Sequence, residues 1–199
     1  MGSRVTTPFE IFICYRRSHA TVAVTLFNQL RADFGDTVFI DHECLEAIES
    51  WRGQIDAVIS GCVVMIAVLS NDWLTEIERR LRDGGQDEVI RELVCAQDAG
   101  KPVLPLYVDH ASSPTHADLQ HFPVGSPVFR ALTALSSAQA SRWRAGSGTD
   151  LDALANTLSR RLRRFGGRLV GRCHARLAQQ LAAGGSDPWP TKFKHFGAA

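Results

Sequence analysis

Residues 38–73 read VFIDHECLEAIESWRGQIDAVISGCVVMIAVLSNDW. The stretch opens on a short apolar strand, Val38 to Ile40, which ends on an acid, Asp41. A polar loop, 42–50, leads to Trp51 and a segment in which Ile55, Val58 and Ile59 fall on one face at helical spacing. An unbroken apolar run, Cys62 to Leu69, follows and stops at Ser70-Asn71-Asp72. A run apolar at every position suits a strand covered on both faces, as in a parallel sheet flanked by helices. Strand, loop, helix, buried strand gathers polar groups at the carboxyl ends of the strands, which is where open α/β sheets bind ligands.

The pattern extends in both directions. Upstream, FEIFICYRRS (9–18) is a second buried strand, 9–14, running into a basic, aromatic loop. Between the two strands, Val22, Leu26 and Leu30 predict a helix over 18–34, closed by Gly35-Asp36. Downstream, Asn71 or Asp72 caps a short helix from Trp73. The polar RRLRDGGQD (79–87) predicts a loop, and Asp87 to Ala99 a helix with Val89, Leu93 and Ala96 inward and Gly100 as its stop. Val103 to Val108 is the next strand. The segment 109–127 is an irregular connection, Val128 to Leu135 a short fifth strand, and Asp150 to Phe165 a final amphipathic helix. Strands alternating with helices predict a doubly wound parallel sheet.

With 199 residues, 45% hydrophobic and 22% charged, the chain is long enough for one sizeable core. A net charge of +1 argues against a global field for nucleic acid or membranes. Five scattered cysteines without CxxC spacing favour a reducing compartment. The opening MGSRVTTPFE lacks an apolar signal core and no apolar run nears the length of a membrane span, so a cytoplasmic location is expected. There is no GxGxxG after the first strand, no GxxxxGK[ST] and no GxSxG. His110, His116 and His121 share one connection without acidic or cysteine partners at ligand spacing, so no metal site is assigned.

Four pieces in this order and spacing resemble the TIR (Toll/interleukin-receptor) domain family, and its bacterial NAD-cleaving branch more than its receptor branch. They are FEIFICYRRS, VFID, the Trp51-x3-Ile55-x3-Ile59-x2-Cys62 spacing and VVMIAVLSNDW, supported by VIRELVCAQDAGKPVLPLYVD (89–109). The resemblance covers roughly residues 8–165. It implies a flavodoxin-like five-stranded sheet in the order 2-1-3-4-5. In many members it further implies cleavage of NAD+ at the nicotinamide–ribose bond in antiviral defence, with NAD+ as substrate and no separate cofactor. Other members only assemble signalling complexes. Either activity implies homo-oligomers through TIR–TIR contacts.

The family's catalytic acid, a glutamate on the helix before the fourth strand, corresponds to Glu92. A carboxylate near the ribose can stabilise an oxocarbenium-like transition state, and the leaving pyridinium needs no general acid. On helix statistics alone Glu92 is a solvated helix residue. Tyr15, Arg16 and Arg17 leave the first strand where an arginine can pair with a dinucleotide's phosphates; the alternative is a salt-bridged loop. Asp41 either takes ribose hydroxyls or forms a turn. Trp51 either walls the nicotinamide pocket or packs as core. Ser70 follows the third strand at the same edge, as a substrate contact or a turn cap.

Two positions depart from the family's pattern. The loop after the second strand has Ala47-Ile48 where relatives carry a Pro-Gly or similar pair. Glu88 stands where many active members place an adenine-stacking tryptophan, which leaves Trp73 as the alternative aromatic.

Beyond the domain expected at 1–165, residues 166–199 form a basic helical extension and tail. Arg160, Arg161, Arg163, Arg164, Arg168, Arg172 and Arg176 occur with no carboxylate between 153 and 186, and Leu169, Cys173, Leu177 and Leu181 make an apolar stripe. The segment reads either as a helix lying on the domain or as a dock for a sensor domain or partner protein. Direct nucleic-acid binding is not expected.

Overall fold

The computed structural model describes residues 9–41, 51–144 and 146–166. Five parallel strands, β1 (Ile11–Cys14), β2 (Val38–Ile40), β3 (Val64–Leu69), β4 (Val103–Val108) and β5 (Ser141–Trp143), pair in the order β2-β1-β3-β4-β5. The helices are α1 (Ala20–Phe34), α2 (Trp51–Gly61), α3 (Trp73–Arg82), α4 (Glu88–Asp98), α5 (His116–Leu119), α6 (Pro127–Ser137) and α7 (Gly148–Gly166). The order reverses at β1, so the chain winds both ways from the centre of the sheet.

Strand side chains alternate between faces, and the two cores follow that alternation. Phe12, Cys14, Met65, Ala67, Leu69 and Tyr107 pack with α2, α3, α4 and α6. Ile11, Ile13, Val64, Ile66, Val68, Leu104, Leu106 and Val108 pack with α1 and α7. β3 is buried at all of its positions, because it is central and covered on both faces.

Two expectations are corrected. Val128 to Leu135 is not a strand but the body of α6. Ser126 caps that helix by accepting from Phe129 N–H at 3.2 Å, Pro127 occupies the first turn, and Val128, Ala131, Leu132 and Leu135 form a buried stripe at helical spacing. The fifth strand is the three-residue Ser141–Trp143, anchored by the buried Trp143. Nor does a loop begin at residue 79. α3 runs to Arg82, its polar flank held by Arg79 bonding Glu76 and Asp83; the turn comes only at Gly84, with φ of 71°.

The 42–50 loop with Ala47-Ile48, and residues 167–199 with the basic helix expected there, lie outside the described residues. Among the described residues no helix is long and apolar enough to cross a membrane.

Candidate active site

The site is assembled where β1 and β2 end beneath α4. β1 delivers Cys14 to the α4 face of the sheet and Tyr15 to the opposite face. The Tyr15 hydroxyl donates to the carbonyl of Asp41, tying the ends of β1 and β2 together. Arg16, extended at φ −89° and ψ 134°, then reaches back toward α4.

Asp87 fixes the start of α4 in two ways. Its Oδ1 accepts from Ile90 N–H at 3.1 Å as the helix cap, and its Oδ2 stands 2.8 Å from Arg16 Nη2. The Arg16 and Asp87 side chains are almost wholly buried, at 7% and 1% exposed. A buried pair of this kind fixes geometry more than it adds stability. Here it sets the angle at which α4 crosses the end of β1.

That angle places Glu92, little more than a turn along α4, against the carboxyl end of β1 and out of bulk water, at 5% exposed. Burial pushes its carboxyl up to about 8. A hydrogen bond from Cys14 and the charge of Arg91 oppose the rise, while Asp41 and Glu88 add to it. The Cys14 thiol is itself held well above its ordinary range, by burial first and then by the neighbouring Glu92, so it stays protonated and donates.

Glu92 and Asp41 line one cleft, of about 330 Å³, with Tyr15, Arg16, Arg17, Arg80, Glu88 and Val89. The volume falls at the small end of ligand pockets. Of the residues singled out in the sequence, Tyr15, Arg16, Arg17, Asp41 and Glu92 are therefore brought together. Ser70 is not among the lining residues: its hydroxyl donates to Asp72 at 2.7 Å and lies 3.2 Å from His19 Nδ1. Trp51 opens α2, and its side chain lies outside the described residues. Trp73 cannot stack a base in the cleft, since it is buried and its indole N–H donates to Ser112 O at 3.3 Å.

Glu88 ties α4 to α2. It accepts from Arg91 at 2.6 Å and from Arg52, while Arg91 also bonds Asp56. Partial burial alone would raise the Glu88 carboxyl; the bonds from the two arginines outweigh it and leave it below its ordinary range.

Arg80, in the cleft, and Cys14, buried beside Glu92, carry no local signal of their placement. Arg80 falls in a polar stretch that reads as a loop, although Trp73, Ile77 and Arg80 share a helical face. Cys14 reads only as a small buried hydrophobe. Among the described residues no group of three His, Cys, Asp or Glu side chains is placed to hold a metal ion.

A doubly wound parallel sheet in this order, with an acid-lined cleft at its carboxyl edge, defines the flavodoxin-like α/β class. Within that class the family model described as the TIR domain matches residues 11–135. The chain belongs to the TIR domain family. It is similar in fold to the TIR domains of the activated Roq1 resistosome directly recognizing the pathogen effector XopQ: the match covers 76% of this chain and 98% of that one, with a TM-score of 0.52 and 16% identity. No curated protein matches the sequence.

Proposed function

We propose that this TIR domain is a NAD+ glycohydrolase, with Glu92 as the residue that stabilises the ribosyl cation. The observation that carries the reading is a carboxyl group buried at the carboxyl edge of the sheet, in a cleft it shares with a second acid, Asp41, and with arginines. Buried ionisable groups of raised pKa in clefts are candidates for catalysis. Glu92 is largely neutral in the ligand-free protein at neutral pH. A bound pyridinium brings a positive charge beside it and favours the ionised form. Breaking the C1′–N bond sends the electron pair to nicotinamide, which leaves neutral, and the positive charge passes to the ribose. Water then adds at C1′ and releases one proton, giving ADP-ribose. An intramolecular attack by the adenine gives a cyclic isomer instead. A preorganised carboxylate at that point contributes through charge stabilisation.

The neighbouring TIR domains belong to an activated resistosome that recognises a pathogen effector, and the resemblance to bacterial relatives points to antiviral defence. Both support a setting in which this domain associates and signals in defence. The 330 Å³ cleft of a single copy is small for a whole dinucleotide, which favours a site completed by a second copy. The alternative is a non-catalytic assembly module, favoured by one observation: Glu88, at the position of the stacking tryptophan, is engaged by Arg52 and Arg91.

The deciding experiment incubates native and Glu92→Gln protein with NAD+ across a range of protein concentrations and measures nicotinamide. Release by the native chain, rising in specific activity with concentration and lost in the variant, is the expected result. No release at any concentration leaves the assembly reading.

A further inference from the structure

The charges around the start of α4 do not balance. Arg16 Nη2 lies 2.8 Å from Asp87 Oδ2, and Arg80 Nε approaches the same oxygen only to 4.0 Å. The second separation is too long for a hydrogen bond, and Arg80 Nε is buried without a hydrogen-bond partner among the described residues. Glu76, another acid within the field of Arg80, is held by two bonds from Arg79, at 2.9 and 3.3 Å. Two guanidinium groups therefore share the one carboxylate of Asp87, and the surplus positive charge borders the cleft. The Arg80 side chain is 38% exposed, so an incoming ligand can reach it.

The helix sets the spacing. Glu92 is five positions beyond Asp87, about 7.5 Å along the axis of α4. The cleft is thus polarised, with Arg16 and Arg80 at the α4 start, where Glu88 is already held by Arg52 and Arg91, and with Asp41 and Glu92 elsewhere in its lining. An oxyanion fits the first region and a developing cation the second. The separation suits one ribose with its phosphate.

We propose that Arg80 is the phosphate-binding residue of the cleft, taking an oxyanion of the diphosphate beside the reacting ribose, while Arg16 is committed to Asp87 and holds α4. The ligand class is a sugar phosphate or diphosphate whose anomeric carbon faces Glu92; the assignment rests on the cleft being the NAD+ site. With Nε buried, the two Nη groups at the exposed end of the guanidinium are the donors that reach phosphate oxygens.

The test uses the full chain carrying Glu92→Gln, so that no turnover intervenes, and titrates ADP-ribose and nicotinamide riboside by calorimetry. Adding Arg80→Gln weakens ADP-ribose binding by about tenfold or more, the worth of a charged hydrogen bond. Arg80→Lys recovers part of the loss, and nicotinamide riboside, which lacks phosphate, binds within twofold of its affinity for the Glu92→Gln chain. Matching thermal melts show that α3 is intact. ADP-ribose affinity unchanged within twofold, equal loss for both ligands, or no ADP-ribose binding to the Glu92→Gln protein overturns the assignment. The enzymatic reading is judged separately, by nicotinamide release. Weakened ADP-ribose binding in a native chain that releases no nicotinamide keeps Arg80 and removes the enzyme. An unchanged KM for NAD+ in an active Arg80→Gln chain does the reverse.

Discussion

The thiol of Cys14, at the last position of β1, donates a hydrogen bond to the carboxyl of Glu92 on α4. A thiol is a weak donor, so it satisfies the buried carboxyl without holding it ionised, and burial keeps the group near 8. Changing the donor should change the acid. Cys14→Ser puts a stronger donor in nearly the same place and lowers the Glu92 carboxyl below about 8. Cys14→Ala removes the donor and raises it further. Carbon-13 NMR of glutamate carboxyls, with Glu92→Gln to assign the signal, reads the order Ser, Cys, Ala directly. The same value in all three proteins would show that the thiol does not act on the carboxyl.

Glu92 also gives folding stability a pH dependence of predictable sign. Its folded-state value, about 8, lies above its ordinary value of 4.5, so the folded state binds the proton more tightly. The favourable contribution is fully present below about 4.5 and is lost as pH rises toward 8. Each tenfold difference in proton affinity between the folded and unfolded chains is worth about 1.4 kcal/mol, which bounds the loss at roughly 5 kcal/mol. Urea unfolding of native and Glu92→Gln protein at pH 5, 7 and 9 should show the variant gaining on the native chain as pH rises. A gap that stays constant would place the carboxyl in water.

If turnover needs the carboxylate, the same titration appears in the kinetics. The pH profile of kcat/KM reports the free enzyme, so it should rise with pH through a midpoint at about 8 and level off only above that. The profile of kcat should be displaced to lower pH, because bound pyridinium favours the ionised acid. Glu92→Gln should lower kcat by on the order of a hundredfold or more, the scale of losing a preorganised electrostatic group. A kcat/KM that is flat from pH 6 to 9 would assign the chemistry elsewhere.

Much of the fold is legible in the sequence because the local signals agree. β4 coincides with its apolar run after Lys101-Pro102. α4 is bounded by the Asp87 cap and by Gly100, whose φ is 65°. α6 resembles a strand only through Val128, Phe129 and Thr133, since the other five residues of VFRALTAL are good helix formers; the Ser126-Pro127 start and the stripe at 128, 131, 132 and 135 are the signals that decide it. α3 looks shorter than it is because Arg79, Arg80 and Arg82 resemble a loop, when Arg79 and Arg82 line the polar flank of a helix and Arg80 falls on the side that buries Trp73 and Ile77. In the cleft, Glu92 is reached through the family resemblance. Its burial, and the roles of Arg16 and Arg80, depend on the meeting of segments far apart in the chain, which no local pattern carries.

The Arg16–Asp87 pair should matter more for holding the site than for net stability. Removing one partner leaves a buried charge uncompensated, a loss of roughly 3–5 kcal/mol. Arg16→Met and Asp87→Asn alone should each destabilise strongly, and the double variant should lose less than the sum in a denaturant double-mutant cycle. Losses that add would mean the two side chains are not coupled.

Glu88 offers the last test, because its position faces both the cleft and α2. Replacing it with tryptophan removes the bonds to Arg52 and Arg91. These involve partly exposed groups and are worth about 1 kcal/mol or less. In exchange it supplies an aromatic surface, and stacking a base on such a surface is worth about 1–3 kcal/mol. Glu88→Trp should therefore lower the KM for NAD+ several-fold while leaving that for nicotinamide mononucleotide, which lacks adenine, unchanged. If the adenine belongs to substrate bound at a neighbouring copy, the gain should emerge only at protein concentrations where the domain associates. A gain that is independent of concentration would place the whole dinucleotide within one subunit. Equal effects on both substrates would mean that the tryptophan acts by reshaping α4.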